Sequence, residues 1–145
     1  MQDLYQELII DHGKRPRNFR EMNTPTCSQE GHNPLCGDRL HLYVEHDGVI
    51  ITDVSFQGDG CAISMASASL LTQVLKGKSL IQADEIFQAF HSALINGEAV
   101  ESVDLGKLAA LLGVSQYPTR VKCATLAWHT YIAAITSSEK PVSTE

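Results

Sequence analysis

The stretch RLHLYVEHDGVIITDVSFQ, residues 39–57, decides the reading of the fold. Leu40, Leu42 and Val44 alternate with Arg39, His41, Tyr43 and Glu45, the period of two of a strand with one buried face. Asp47-Gly48 supplies turn chemistry, and Ile50, Thr52, Val54 and Phe56 alternate on the return. The stretch therefore predicts a β-hairpin. A third strand is expected around residues 26–32.

On either side of the hairpin the period becomes that of helices. QDLYQELIIDHG places Leu4, Tyr5, Leu8 and Ile9 on one face, with Gly13 as its stop. KRPRNFREMNTPT follows as a basic loop. CAISMASASLLTQVLKG, rich in Ala and Ser on its early turns, invites close packing and ends at Gly77. QADEIFQAFHSALING closes at Asn96-Gly97, and DLGKLAALLG is expected to run from an Asp104 cap to Gly113. After the break SQYP, TRVKCATLAWHTYIAAI reads as the last long helix, capped by Thr119, with Trp128 and Tyr131 in the core. Strands followed by helices predict an α+β fold: one domain, with a small antiparallel sheet of two to three strands and a layer of about five helices. The domain is expected over 1–136, with 137–145 a flexible polar tail.

The chain has 145 residues, enough for one domain with a real core, and a formal net charge of −6. That charge argues against nucleic acid as a partner. No run approaches the ~18 apolar residues of a membrane span, and the opening MQDLYQELII lacks a basic leader. A cytoplasmic location with no membrane partner is the expectation. There, four cysteines read as metal ligands or catalysts before disulfides. Lys14, Arg15, Arg17 and Arg20 make one basic corner on an acidic body, which suits a protein partner. A solvated loop explains the same charges.

NPLCGD sets Cys36 and Asp38 two residues apart where a loop enters the hairpin. Cys61 follows the return strand at a helix start, and Cys123 lies in the first turns of the last helix. The hairpin brings the first three to one end of the sheet, and the fourth joins them if the last helix starts there. Three thiolates and a carboxylate suit four-coordinate zinc, and helix N-termini favour thiolates. The carboxylate is the more exchangeable ligand, which points to a site built to change its ligands. On spacing alone, three dispersed cysteines read equally well as small buried hydrophobes. Cys27, in a polar loop without a glycine frame, reads as no ligand. His129, six residues past Cys123, faces another side of its helix. His32 is the histidine expected nearest the site, though not as a ligand. His41, His46 and His91 read as surface residues of strand, turn and helix.

In order along the chain, DHGKRPRNF, NPLCGD, GDGCAIS and RVKCATLAWHT resemble the motifs of the U-type iron–sulfur cluster assembly proteins, and specifically their SufU branch. The resemblance runs from about residue 2 to about residue 135. Proteins of the IscU branch carry Gly-Cys-Gly in the second motif and a histidine before the third cysteine. This chain has GDGC and Lys122 in those places, and ADEIFQAFHSALINGEAVESVD looks like the SufU insertion. The resemblance implies zinc held by Cys36, Asp38, Cys61 and Cys123. It implies Cys36 as the acceptor of persulfide sulfur from a SufS-like cysteine desulfurase, with Arg120 matching an arginine of the third motif. It implies downstream iron–sulfur assembly proteins as further partners. Whether such a zinc-dependent sulfurtransferase counts as an enzyme stays open. So do two other functions: a scaffold carrying a transient iron–sulfur cluster on the same ligands, and a binding protein with a structural metal.

Overall fold

The structure is a computed structural model and describes residues 3–34, 36–96, 103–136 and 142–143. In chain order the elements are α1 (Asp3–Lys14), β1 (Cys27–Asn33), β2 (Asp38–His46), β3 (Ile51–Asp59), α2 (Ala62–Leu75), α3 (Leu80–Asn96), a 3-10 helix (Gly106–Gln116), α4 (Pro118–Ile135) and β4 (Val142–Ser143). The sheet order is β3-β2-β1-β4. The first three strands are antiparallel, and within the 137–145 tail Val142 and Ser143 pair parallel with Gly31 and His32. The fold is the α+β arrangement expected, with the third strand present at Cys27–Asn33.

The hairpin forms because its apolar face matches across the register. Leu42 opposes Phe56 and Val44 opposes Val54, all fully buried. The return strand departs from plain alternation at its start. A bulge skips Thr52, so that Ile51 opposes His46 and enters the core while Ile50 stays at the surface. The Asp47 carboxylate accepts from the N–H groups of Val49 and Ile50, and Gly48 takes φ 95°, which glycine adopts without strain.

Helix α2 lies at the centre and is buried on nearly every side, Ala66, Ser67, Ala68, Ser69, Leu70 and Leu71 all being inaccessible. Its small residues let α1 and α4 approach closely. Trp128 and Tyr131 of α4 are core residues, and the Trp128 ring meets Phe90 at a centroid distance of 5.2 Å.

Five helix ends differ from the sequence reading. Helix α1 runs through Gly13 to Lys14. Gly13 is small because a Cβ there would come within 3.1–3.2 Å of Ala62 on α2. Gly113 lies inside the 3-10 helix, and Asp104 accepts from Gly106 N in the turn before it. Helix α4 starts at Pro118, whose fixed φ and missing N–H suit the first helical position, so Thr119 is inside the helix. Helix α3 begins at Leu80 behind a capping box: Gln82 N donates to Ser79 Oγ, and Ser79 N to Gln82 Oε1. The expected Gly97 stop and the side chains of Leu4 and Tyr5 lie outside the described residues.

The basic loop is tied down by its own side chains. Arg17 Nη2 meets Asp11 at 2.6 Å, and Arg17 N donates to Ser69 Oγ at 2.8 Å. That hydroxyl also lies 2.7 Å from Nδ1 of His12, which is 1% exposed. Burial, and then the charges of Arg17 and Lys107, depress the His12 pKa to about 4. The unfolded chain takes up the imidazole proton near pH 6.5 and the folded chain does not. Stability is therefore fully present above about pH 6.5 and drains away as the pH falls towards 4. His12→Asn is expected to spare the protein about 2 kcal/mol of the loss between neutral pH and about pH 5, as read from urea unfolding. Parallel pH curves for parent and variant would show that His12 does not carry this sensitivity.

Candidate metal centre

The ends of β1 and β3 and the start of β2 meet at one edge of the sheet, with Asn33 opposite Asp38 and Arg39 opposite Asp59. Helices α2 and α4 both begin at that edge, so the dispersed cysteines converge. Cys36 lies on the turn between β1 and β2, half-buried, followed by Gly37 at φ 72°. Asp38 opens β2 and is inaccessible. Its Oδ1 accepts from Cys61 N at 2.8 Å, and Gly60 leaves room for it, since a Cβ there would come within 2.6 Å of Oδ1. Cys61 is the N-cap of α2, where its sulfur accepts from Ser64 N at 3.4 Å. A thiolate in that position faces the positive end of the helix dipole. Cys123, on α4, is fully buried.

The donor atoms of Cys36, Asp38 and Cys123 all lie within 4.8 Å of one another. The Cys36 and Cys123 sulfurs are 3.2 Å apart, well beyond the ~2.05 Å of a disulfide. Cys61 Sγ lies 4.0 Å from Asp38 Oδ2 but stands outside that three-residue set. Tetrahedral ligation with Zn–S bonds of about 2.3 Å sets sulfurs about 3.8 Å apart, so Cys36, Asp38 and Cys123 are near enough to share one ion after a small outward shift of the two sulfurs, and Cys61 would have to turn in as the fourth ligand. The electrostatics point the same way. Burial, then hydrogen bonds to Cys36, Asp38 and Cys61, push the Cys123 thiol far above its ordinary pKa. Two like charges at 4 Å cost about 4 kcal/mol at an effective dielectric of 20, so these groups could ionise together only around a cation. The exposed Arg120 guanidinium stands one turn before Cys123, and its proton is held more tightly by Cys61 first and then by Cys123 and Cys36. One guanidinium at the rim does not balance four anions.

The other candidates lie elsewhere. Cys27 starts a strand instead of lying in a loop; it packs against the core, and burial raises its thiol pKa. Six residues of strand, about 20 Å, separate it from Asn33. His129 packs between α3 and α4, 5.5 Å from the rings of Phe87 and His91. His41 stacks on Tyr43 at 4.6 Å. Gly31 and Asn33 face inward along β1, so the His32 side chain between them lies on the other face of the strand. The inward neighbour is Asn33, which the sequence reading missed. The basic segment does flank the site, because Gly13 rests on Ala62, the residue after Cys61. Its arginines are engaged, with Arg17 and Arg15 on Asp11 and Arg20 on Asp53. Among the described residues Lys14 makes no ion pair.

Cys36, Asp38 and Cys123 gathered at one end of the sheet of a small α+β domain point to the class of protein. The chain belongs to the NifU-like N terminal domain family, whose model matches residues 4–124. It is 46% identical over 125 residues to the zinc-dependent sulfurtransferase SufU of Bacillus subtilis, covering 86% of this chain and 84% of that one. It is 37% identical over 135 residues to the iron–sulfur cluster assembly scaffold protein IscU of Streptococcus pyogenes, covering 93% and 84%. The fold superimposes on the crystal structure of FiSufU, a SUF-system protein of Fervidobacterium islandicum AW-1, with a TM-score of 0.84 at 36% identity, covering 89% and 94%. No described helix is long and apolar enough to cross a membrane.

Proposed function

We propose that the protein is a zinc-dependent sulfur carrier that accepts persulfide sulfur from a SufS-like cysteine desulfurase for iron–sulfur cluster biogenesis. The observation that carries this reading is the unequal anchoring of the candidate ligands. Asp38 is held on a strand, while Cys61 and Cys123 sit at the cap and in the body of helices. Cys36 alone is on a turn, half-buried. When bound, zinc keeps thiols ionised at neutral pH while restraining them as nucleophiles.

The chain's own residues supply the rest. The Cys36 thiolate attacks the outer sulfur of the donor's persulfide, forming a new S–S bond. The donor's S–S bond breaks, and its inner sulfur leaves as a thiolate. The persulfide proton stays on the transferred sulfur. Arg120, exposed beside the three thiols, steadies the anionic sulfur during the exchange. Open thiols at such a site fit a reducing compartment, the cytoplasm. The test is persulfide transfer from a purified desulfurase to zinc-loaded and metal-free protein.

The scaffold reading draws on the S. pyogenes relative named for that role. Lys122, in place of a histidine ahead of Cys123, removes one ligand such a site would use. Metal analysis separates the two: one zinc per chain against iron with sulfide.

Docking a desulfurase should use the basic flank of the site. Among the described residues Lys14 makes no ion pair and Arg15 is only loosely held, 3.8 Å from Asp11, whereas Arg17 is structural. Reversing Lys14 and Arg15 to glutamate is expected to weaken desulfurase binding about tenfold at low salt, less at high salt, with zinc retained. Calorimetric titration at two ionic strengths checks this, and an unchanged affinity would assign the flank to solvent.

A further inference from the structure

Asn33, which is not itself a candidate ligand, meets three of the four candidates. It ends β1 and is fully buried. Its Nδ2 donates to Asp38 Oδ2 at 3.5 Å and to Cys123 Sγ at 3.6 Å. Its backbone carbonyl accepts from Cys36 N at 3.3 Å. Its side-chain Oδ1 is buried with no hydrogen-bond partner among the described residues. Leaving a buried acceptor unpaired costs about 1–3 kcal/mol, and an apolar residue of similar size would end the strand without that cost. Turning the amide over would set Oδ1 against a carboxylate, acceptor on acceptor. The amide is therefore kept for what Nδ2 does.

Resting on the reading of this site as a zinc-bearing sulfur acceptor, we propose that Asn33 is a positioning residue that selects which ligand is released. A donor shared between Asp38 and Cys123 stabilises both as anions and fixes their rotamers, as outer partners of metal ligands do. From Asn33, Cys36 receives only a backbone tie on its own N–H, and its sulfur is met by the Cys123 thiol rather than by the amide, so the amide does not keep it from rotating away. The amide thus pins two of the four candidate ligands; Cys61 is held at its helix cap by Ser64 N, which leaves Cys36 as the one free to go. The release order follows from the donor at position 33 as well as from the loop that bears Cys36.

The test uses zinc-loaded protein and two readouts besides activity. One is the rate at which zinc passes to an excess of chromophoric chelator. The other is the order in which iodoacetamide labels the cysteines, mapped by peptide mass spectrometry. In the parent, Cys36 should be labelled first. Asn33→Leu keeps the branching at Cγ and removes the donor; Asn33→Ser keeps a donor. Asn33→Leu is expected to release zinc about tenfold faster and to label Cys123 as readily as Cys36. Asn33→Ser should recover part of the selectivity, and the melting temperature of metal-free Asn33→Leu should not fall below the parent's. Unchanged release and labelling order in Asn33→Leu would overturn the inference. So would a metal-free melting temperature that falls as far as the metal-loaded one, since that marks a purely structural amide. A parent that binds no zinc would overturn the site reading itself, a result distinct from either.

Discussion

Cys36→Ala is expected to abolish sulfur acceptance, with a loss of roughly a thousandfold or more, as removal of a nucleophile produces. The fold should survive it. Cys36 lies on a turn at the rim, and its strand neighbours Asn33 and Asp38 pair through their backbones regardless of what it carries. The metal should weaken but remain, because Asp38, Cys61 and Cys123 are presented by a strand and two helices. Cys27→Ser is the matched control. Its side chain packs on the core at the far end of β1, so zinc content and transfer should stay near the parent's. Single-turnover transfer from a persulfide-loaded desulfurase reads the difference. Equal losses in the two variants would mean that Cys36 is not the acceptor.

Chelating the zinc should lower the melting temperature by roughly 10 °C. A ligand at about a thousand times its Kd contributes about 4 kcal/mol, and a domain of this size shifts by roughly 2–4 °C per kcal/mol. The physical source is the group of acids at the sheet edge. Without the cation, Cys123 has to keep its proton in a buried site, and the ties among Cys36, Asp38 and Cys61 lose their common partner. The protein should stay folded, because the core built on Phe56, Phe90, Leu42 and Trp128 stands without the site. Cys61→Ser separates metal from fold. Serine caps a helix well, so the tie to Ser64 N survives while a thiolate is lost. That variant should lose most of its zinc and melt where the chelated parent melts. A parent whose melting temperature ignores chelators would show that no metal is bound in the folded state.

The hairpin and the central helix were legible because their apolar periods are strong and local. Ile51 was not, because the bulge at Thr52 is a tertiary feature that shifts alternation by one residue. Gly13 and Gly113 looked like stops, since glycine often ends helices. One is small for the sake of Ala62, and the other is carried inside a 3-10 helix. Strand β1, reading CSQEGHN, has almost no strand propensity and is held by pairing with β2. That weakness hid Asn33. Once β1 is placed, alternation turns Gly31 and Asn33 inward and His32 outward. The convergence of Cys36, Asp38 and Cys123 was readable from their places at element ends. The extra work of Asp38, which also ties down Cys61 N at the start of α2, was not.

The most direct measurement is persulfide transfer from a desulfurase to zinc-loaded protein, to the same protein stripped of metal, and to stripped protein reloaded with zinc. Zinc-loaded protein should take up one sulfur per chain, mapped to Cys36. Stripped protein should transfer poorly and regain transfer on reloading. Equal transfer with and without zinc, or sulfur mapped to Cys61, Cys123 or Cys27 instead of Cys36, would contradict the account.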